Sequence, residues 1–220
     1  MGIGSLQAAV LIHQLPDKLL FVTIILGSSS VYRRRQLAQL VCVDRCISPN
    51  IAEDHYTTET QQERADRLSR AKAAAVFAQL SGLEQTDAVV IAGDQTATCK
   101  GSILDKPGTV ARAERQLQIL SGNTASFYSG VAVVFQNDDG ALQTLSRVVE
   151  TRVKVRKLSS LQIDGYLERE EVLDCAGSFK CEGLGIALFD SISSDDPSAL
   201  VGLPLIATRM LLENAGIVVI

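Results

Sequence analysis

A carboxylate that follows an apolar run is the group in this sequence best placed to do chemistry. Residues 88–92, AVVIA, are apolar and rich enough in β-branched side chains to predict a buried strand, and Gly93 and Asp94 come next. An acid delivered through a glycine at the end of a sheet combines a stiff backbone with a side chain that meets solvent or substrate. The alternative is an Asx-turn, in which Asp94 only hydrogen-bonds the backbone that follows. This stretch alone leaves both interpretations open.

Basic side chains follow the first predicted strand and indicate anion binding. Residues 19–27 predict a central strand, which leads into serines at 28–30 and a helix predicted over 31–40, with arginines at 33–35 in its first turn. Backbone N–H groups at a helix start bind anions, whereas cations there oppose the helix dipole by about 0.3–1 kcal/mol each. A docked phosphate would offset this cost, and a solvated basic turn is the alternative. Neither a Walker-type loop nor a dinucleotide-binding glycine motif is present.

Two lysines are candidates for the same anion. Lys72 lies in a helix predicted over 61–80, inside an apolar stripe with four-residue spacing. It either extends its ammonium group to the edge of that stripe or directs it at something anionic. Lys106 precedes Pro107, which stiffens the backbone there, so this lysine lies on a rigid turn shortly after the predicted strand at 88–92. A solvent-exposed side chain with no binding role is the alternative for Lys106.

The elements that must position these groups alternate between strands and helices. The rest of the chain predicts a strand at 41–48, loops at 49–60 and 82–87, a hairpin at 96–104, a helix at 110–120, hairpin-linked strands at 124–136 and 142–156, a helix at 159–169, a strand at 186–192 and a helix at 204–214. This interleaving predicts the α/β class, with a mixed, twisted central sheet and flanking helices. Residues 1–18 are expected to form a loose N-terminal extension, and 19–220 a single domain.

Composition narrows the partners and the metal. The 220 residues are 46% hydrophobic and 21% charged, and the net charge of -4 argues against a nucleic-acid partner. No segment resembles a membrane span or a signal peptide, so no membrane partner is expected. Five cysteines without a CxxC pair are typical of reduced, buried thiols in a cytoplasmic protein. With only two histidines, any metal is expected to be Mg²⁺ or Mn²⁺, held by carboxylates and substrate phosphates.

Seven ordered blocks together resemble the Maf-like nucleoside triphosphate pyrophosphatases, over nearly the whole chain from about residue 26. The blocks are SSS at 28–30 with RR at 33–34, RL at 67–68 with AKA at 71–73, GDQ at 93–95, KP at 106–107, LSG at 120–122 with YSG at 128–130, AGSF at 176–179 with EG at 182–183, and VGLPL at 201–205. The resemblance implies a Maf/inosine-triphosphatase-like fold with a cleft between two lobes. A homodimer is compatible with it.

The resemblance also implies a reaction and the residues that perform it. The reaction is hydrolysis of a small-molecule nucleoside triphosphate between its α- and β-phosphates, with a divalent metal cation, Mg²⁺, Mn²⁺ or Co²⁺. Asp94 is implied as proton acceptor and metal ligand, with Glu53 as a second catalytic acid near the metal. The triphosphate is implied to be held by Ser28, Ser30, Arg33, Lys72 and Lys106, the last of which is also implied in catalysis. Ala52 stands where the family usually shows an aspartate, so one expected carboxylate is missing.

Three further residues indicate which base is selected. Tyr32, Gln95 and Glu182 match the specificity positions of the family and look most like the branch that hydrolyses 7-methyl-GTP, a modified nucleotide. Methylation at N7 gives guanine a delocalised positive charge, which an aromatic face and a carboxylate both favour, while an amide can read the ring edge. The alternatives are a dTTP/UTP pyrophosphatase of the same family, a non-catalytic nucleotide-binding regulator of cell division and septum formation, and an acidic scaffold with an inert serine-arginine loop.

Overall fold

The computed structural model describes residues 22–220 and shows six α-helices and seven strands in that range. The strands are β1 (Thr23–Leu26), β2 (Arg45–Cys46), β3 (Ala88–Cys99), β4 (Ser102–Ile103), β5 (Thr124–Gln136), β6 (Leu142–Val155) and β7 (Phe189–Ser194). The helices are α1 (Val31–Leu37), α2 (Gln61–Ala78), α3 (Gly82–Asp87), α4 (Val110–Leu120), α5 (Ser160–Leu167) and α6 (Leu205–Asn214). The predicted extension at 1–18 and the start of the predicted first strand, 19–21, lie outside the described residues.

One mixed sheet forms the centre of the molecule, which confirms the predicted α/β class. Its strand order is β2-β1-β3-β5-β6-β7, with β4 paired to β3. The pairs of β1 with β2 and β3 are parallel, and the other pairs are antiparallel. Within the described part of the chain, no helix is both long and apolar enough to cross a membrane.

Three apolar clusters divide the structure into two lobes that share the sheet. In the first lobe, one cluster packs α1 and α6 on one face, and a second packs α2 on the other; along β3, residues 89 and 91 belong to the former and residues 90 and 92 to the latter. This alternation follows from the two-residue period of a strand. The third cluster forms the second lobe, where α4 and α5 pack on residues 97 and 99 of β3 and on the first half of β5. Residues 93–96 of β3 therefore lie between the cores.

Glycine at position 93 marks a close approach between the strands β3 and β5 rather than the end of a strand, so the expectation that β3 stops there is wrong. The strand continues to Cys99, because β5 pairs with it through the glycine, with Asp94 opposite Gly130. A Cβ atom at position 93 would lie only 3.1 Å from the carbonyl oxygen of Gly130. Asp94 is therefore held in the middle of a long strand, between the two lobes.

Three other predicted segments differ from the structure. Residues 82–87, predicted as a loop, form α3, because Ser81 and Glu84 make a capping box that starts a helix there. The strand predicted at 41–48 is reduced to Arg45–Cys46. The strand predicted at 186–192 begins only at Phe189, after a 3-10 turn at Leu184–Leu188. All three segments lie outside the β3–β5–β6 centre of the sheet.

Candidate active site

A cleft of about 590 Å³ lies between the two lobes and collects most of the predicted site residues. Its walls come from the loop after β1, the loop before α2, β3, the turn after β4 and the segment after α5. The predicted residues that line it are Ser28, Ser30, Tyr32, Arg33, Glu53, Lys72, Gln95, Lys106 and Glu182. Asp94 does not line the cleft itself; it is only 5% exposed and contacts one of the lining residues, Lys72.

Asp94 and Lys72 form a buried ion pair at the base of the cleft. Lys72 Nζ lies 2.6 Å from Asp94 Oδ1, and both side chains are 8% exposed. The ammonium group of Lys72 is therefore directed at an anion and not extended into solvent. The second oxygen, Asp94 Oδ2, has no hydrogen-bond partner among residues 22–220. The Asx-turn alternative is wrong, because Asp94 binds Lys72 and not the backbone that follows.

The reach of Lys72 depends on how closely α2 lies on the sheet. A Cβ atom at position 130 would lie 2.4 Å from the carbonyl oxygen of Ala65, so only glycine on β5 lets the helix approach this far. The start of α2 is fixed by a capping box, in which Thr60 accepts from the backbone N–H of Glu63 and the Glu63 carboxylate accepts from that of Thr60. Helix position and strand register together bring the ammonium group and the carboxylate into contact.

Glu53 approaches the same ammonium group from the loop before α2. Its Oε1 lies 2.7 Å from Lys72 Nζ, and its side chain is 51% exposed at the edge of the cleft. Two carboxylates, one buried and one exposed, thus converge on one cation. Among residues 22–220, no group of three or more histidine, cysteine, aspartate or glutamate side chains forms a metal cluster. Glu53 and Asp94 supply the hard oxygen donors that Mg²⁺ prefers, and substrate phosphates and water commonly complete such a site.

Arg33 is the one arginine of the basic run that enters the cleft. Its Nε donates to the carbonyl oxygen of Gly202 at 3.0 Å, and its Nη1 lies 3.5 Å from Ser28 Oγ. Burial lowers the pKa of Arg33, while the negative charges of Asp94 and Glu53 oppose that shift. The neighbouring arginines at 34 and 35 are exposed, so the solvated-turn alternative describes those two residues only.

Lys106 is exposed at the cleft wall. Its turn is held by the side chains of Gln116 and Arg64, which the sequence analysis did not single out. The backbone oxygen of Asp105 accepts from Gln116 Nε2 at 2.8 Å, and its carboxylate contacts Arg64 Nη1 at 3.2 Å. Arg64 is 6% exposed, and its Nη2 also donates to the carbonyl oxygen of Glu53 at 3.1 Å. Arg64 therefore connects the loop of Glu53 to the turn of Lys106. Its position eight residues before Lys72, in the same four-residue stripe, is the signal that could have identified it.

The cleft is also lined by the three residues predicted to select the base. Tyr32 and Glu182 line it from opposite lobes, and Gln95 Nε2 donates to Ser129 Oγ and to the backbone of a 3-10 turn at Ala199–Val201. Lys180, which the sequence analysis did not single out, also lines the cleft. Burial acts to lower the pKa of Lys180, but a hydrogen bond with Tyr32 and nearby negative groups outweigh it, so that pKa is raised.

The cysteines are only partly as predicted. Cys99 is buried, whereas Cys42 and Cys46 are exposed, so the expectation of five buried thiols is wrong for those two. Cys175 and Cys181 are half-buried and line the cleft. Burial raises the pKa of both to about 12, so they are neutral thiols at pH 7 and not nucleophiles.

Comparison with known proteins gives consistent matches over most of the chain. A family model described as "Maf-like protein" matches residues 23–215. A protein named 7-methyl-GTP pyrophosphatase from Xanthomonas oryzae pv. oryzae is 45% identical over 193 residues, which cover 88% of this chain and 96% of that protein. A protein of the same name from Albidiferax ferrireducens is 46% identical over 197 residues, 90% of this chain and 95% of that one. Among solved structures, the Staphylococcus aureus Ham1 protein matches with a TM-score of 0.44 and 15% identity, over 88% of this chain and 99% of that chain.

Proposed function

Because this chain belongs to the Maf-like protein family, we propose that it is a nucleoside triphosphate pyrophosphatase acting on 7-methyl-GTP. The products are the nucleoside monophosphate and pyrophosphate. Two relatives more than 40% identical over most of their length carry the name of that activity, which supports the substrate as well as the reaction. The biological role is the removal of a modified nucleotide.

The observation that carries the proposal is the convergence of cations and carboxylates in one cleft. Arg33, Lys72 and Lys106 come from three separate parts of the chain and line the same cavity, in which Glu53 is also exposed. A triphosphate is polyanionic, and cations from several elements can neutralise its charges together. Ion pairs with a purely structural role would not need three cationic side chains that line the same cleft.

The chemistry assigned to these groups is in-line displacement at the α-phosphorus by water. A new P–O bond forms to the water oxygen, the bond from the α-phosphorus to the bridging oxygen breaks, and the electron pair leaves with pyrophosphate. Asp94 Oδ2, which Lys72 does not bind, accepts the proton. Lys72 orients Asp94 through Oδ1, and Arg33 and Lys106 neutralise the charge that develops on pyrophosphate.

The residues present fit a divalent metal. Asp94 and Glu53 are the two side chains that would hold it, because their carboxylate groups converge on one positive charge, that of Lys72, and therefore lie close together. When bound, the metal supplies positive charge at the phosphates and lowers the pKa of a coordinated water. The missing carboxylate at Ala52 leaves the substrate phosphates a larger share of the ligands.

The test is a nucleotide panel with two matched variants. Phosphate release coupled to added inorganic pyrophosphatase is measured with 7-methyl-GTP, GTP, dTTP and UTP, each in Mg²⁺, Mn²⁺ and Co²⁺. We expect 7-methyl-GTP to have the highest kcat/KM. Asp94→Asn should abolish turnover and leave nucleotide binding largely intact, while Asp164→Asn, at an exposed position on α5, should behave as wild type.

Each contrary result would support a different interpretation of the protein. A preference for dTTP or UTP would reject the substrate but keep the reaction. Binding without hydrolysis in all three metals would favour a non-catalytic nucleotide-binding regulator. Unchanged triphosphate affinity after Arg33→Ala would show that the serine-arginine loop is inert. An active Asp94→Asn variant would remove Asp94 from the role of proton acceptor.

A further inference from the structure

The amide of Gln95 has one end fixed by the protein and the other end open to the cleft. Its Nε2 lies 2.9 Å from Ser129 Oγ, 3.1 Å from the carbonyl oxygen of Ala199 and 3.2 Å from that of Leu200. Its Oε1 has no hydrogen-bond partner among residues 22–220 and is not one of the fully buried unpaired atoms there. Since Gln95 lines the cleft, Oε1 is the end of the amide available to a ligand.

The chemistry of the partners determines this orientation. Backbone carbonyl oxygens only accept hydrogen bonds, so the turn at Ala199–Val201 can be satisfied by the NH₂ group of Gln95 and would repel its oxygen. Ser129 is directly opposite Gln95 in the β3–β5 pair and fully buried, and its hydroxyl donates to Ala199 O at 2.7 Å. With its one proton given to that carbonyl, Ser129 can only accept from Gln95. All three partners therefore demand the same end of the amide.

The turn that carries these carbonyls is itself firmly held. Gln36 of α1 donates from Nε2 to the backbone oxygens of Ser198 and Leu203, at 2.8 and 3.1 Å, and accepts from Leu203 N at 2.9 Å. Asp196, 2% exposed, accepts from Ser198 N and from two backbone N–H groups at the start of α6. The carbonyl oxygens that face Gln95 therefore have little freedom to turn away.

We propose that Ser129 and the turn at Ala199–Val201 are positioning elements that lock the Gln95 amide with its oxygen toward the cleft, so that the site selects bases with adjacent N–H donors. Guanine presents two such donors, N1–H and the N2 amine, on its Watson–Crick edge. Uracil and thymine present a single N–H between two carbonyl acceptors, and hypoxanthine lacks the amine. This inference rests on the proposed function and adds the polarity of base recognition. It concerns the base edge, which GTP and 7-methyl-GTP share.

The first experiment compares GTP with ITP, which differ only in the N2 amine. Each is used as a substrate and as a competitive inhibitor of 7-methyl-GTP hydrolysis by the wild-type protein. We expect GTP to be favoured over ITP by about five- to tenfold, the usual effect of one net hydrogen bond, and the difference to lie in KM or Ki and not in kcat. Equal behaviour of GTP and ITP would overturn the inference. Hydrolysis of no nucleotide at all would instead reject the proposed function.

Two variants test the orientation. Gln95→Glu keeps an oxygen toward the cleft but places a carboxylate oxygen against two carbonyls, so we expect a lower unfolding temperature with the preference for GTP over ITP retained. An unchanged unfolding temperature together with a lost or inverted preference would show that the amide points the other way.

Ser129→Ala removes one of the three partners and should lower the GTP-to-ITP ratio by about twofold or more through KM. Its matched control is Ser126→Ala on the same strand, where the hydroxyl contacts Glu150 instead and the ratio should not change. An unchanged ratio in a folded Ser129→Ala variant would remove Ser129 from the positioning role.

Discussion

Replacing Lys72 by methionine should destabilise the protein strongly, although the apolar part of the side chain is retained. Lys72 Nζ lies 2.6 Å from Asp94 Oδ1 and 2.7 Å from Glu53 Oε1. Glu53 is half-exposed and can turn to water once the ammonium group is gone. Asp94 is buried on a strand between the two lobes, so its carboxylate cannot turn to water in the same way. The variant therefore leaves one carboxylate without its main counter-charge.

The magnitude follows from opposing effects. At 2.6 Å and an effective dielectric constant of about 20, two unit charges attract by about 6 kcal/mol. The desolvation of both ions offsets part of this, and removing one partner of a buried pair typically costs about 3–5 kcal/mol. Arg33, whose charge also interacts with Asp94, remains in the variant, so we expect the lower end, about 3 kcal/mol. For a domain of this size, that corresponds to a fall of about 6–12 °C in Tm.

A double-mutant cycle isolates the cause. Urea unfolding followed by circular dichroism at pH 7 is measured for the wild type, Lys72→Met, Asp94→Asn and the double variant. Because the deficit comes from an unpaired negative charge, Asp94→Asn should restore at least about 1 kcal/mol when added to Lys72→Met. A Lys72→Met variant as stable as the wild type, or a double variant less stable than both single variants, would refute the reasoning.

Three further outcomes are expected. Gly130→Ala should cost more than about 2 kcal/mol and lower activity, because the new Cβ would lie 2.4 Å from Ala65 O; thermal unfolding and turnover of the purified variant check this. The Arg67 hydrogen bond lowers the pKa of Glu59 from 4.5 to about 2, so the stability that this pair contributes should be complete above pH 4.5 and lost as the pH falls toward 2; the Tm difference between wild type and Glu59→Gln should close over that interval. Arg64→Met should lower kcat more than Arg64→Lys does, because it frees the loop of Glu53, and the comparison by steady-state kinetics fails if both variants match the wild type.

The sequence predicts the strand-helix pattern well where a segment carries its own signal. The helix at 110–120 and the strand at 124–136 have the bounds predicted, because apolar periodicity and turn residues mark both ends. The prediction fails at Gly93, because a glycine that permits close strand packing cannot be distinguished in the sequence from one that ends a strand. The short helix at 82–87 was predicted as a loop, because its residues are mostly polar and its start depends on a capping box between Ser81 and Glu84.

The site was predictable in its residue types but not in its pairings. Lys72 was singled out by its place in an apolar stripe, yet its contact with Asp94 depends on how closely α2 approaches β5, which only the folded structure shows. The partners of Gln95 include two backbone carbonyl oxygens more than 100 residues away in the chain. Backbone atoms carry no residue-type signal, so no inspection of the sequence could have identified them.

The same strands run through both lobes, and this limits how the lobes can move relative to each other. β3 contributes side chains to all three apolar clusters, and its hydrogen bonds to β5 pass without interruption through Asp94 and Gly130. A hinge motion that separates the two lobes would have to break these hydrogen bonds. Nucleotide entry and pyrophosphate exit should therefore depend on the loops at the edge of the cleft, above all residues 49–60. For the same reason, neither lobe should fold on its own, and thermal unfolding of the protein should be a single cooperative transition.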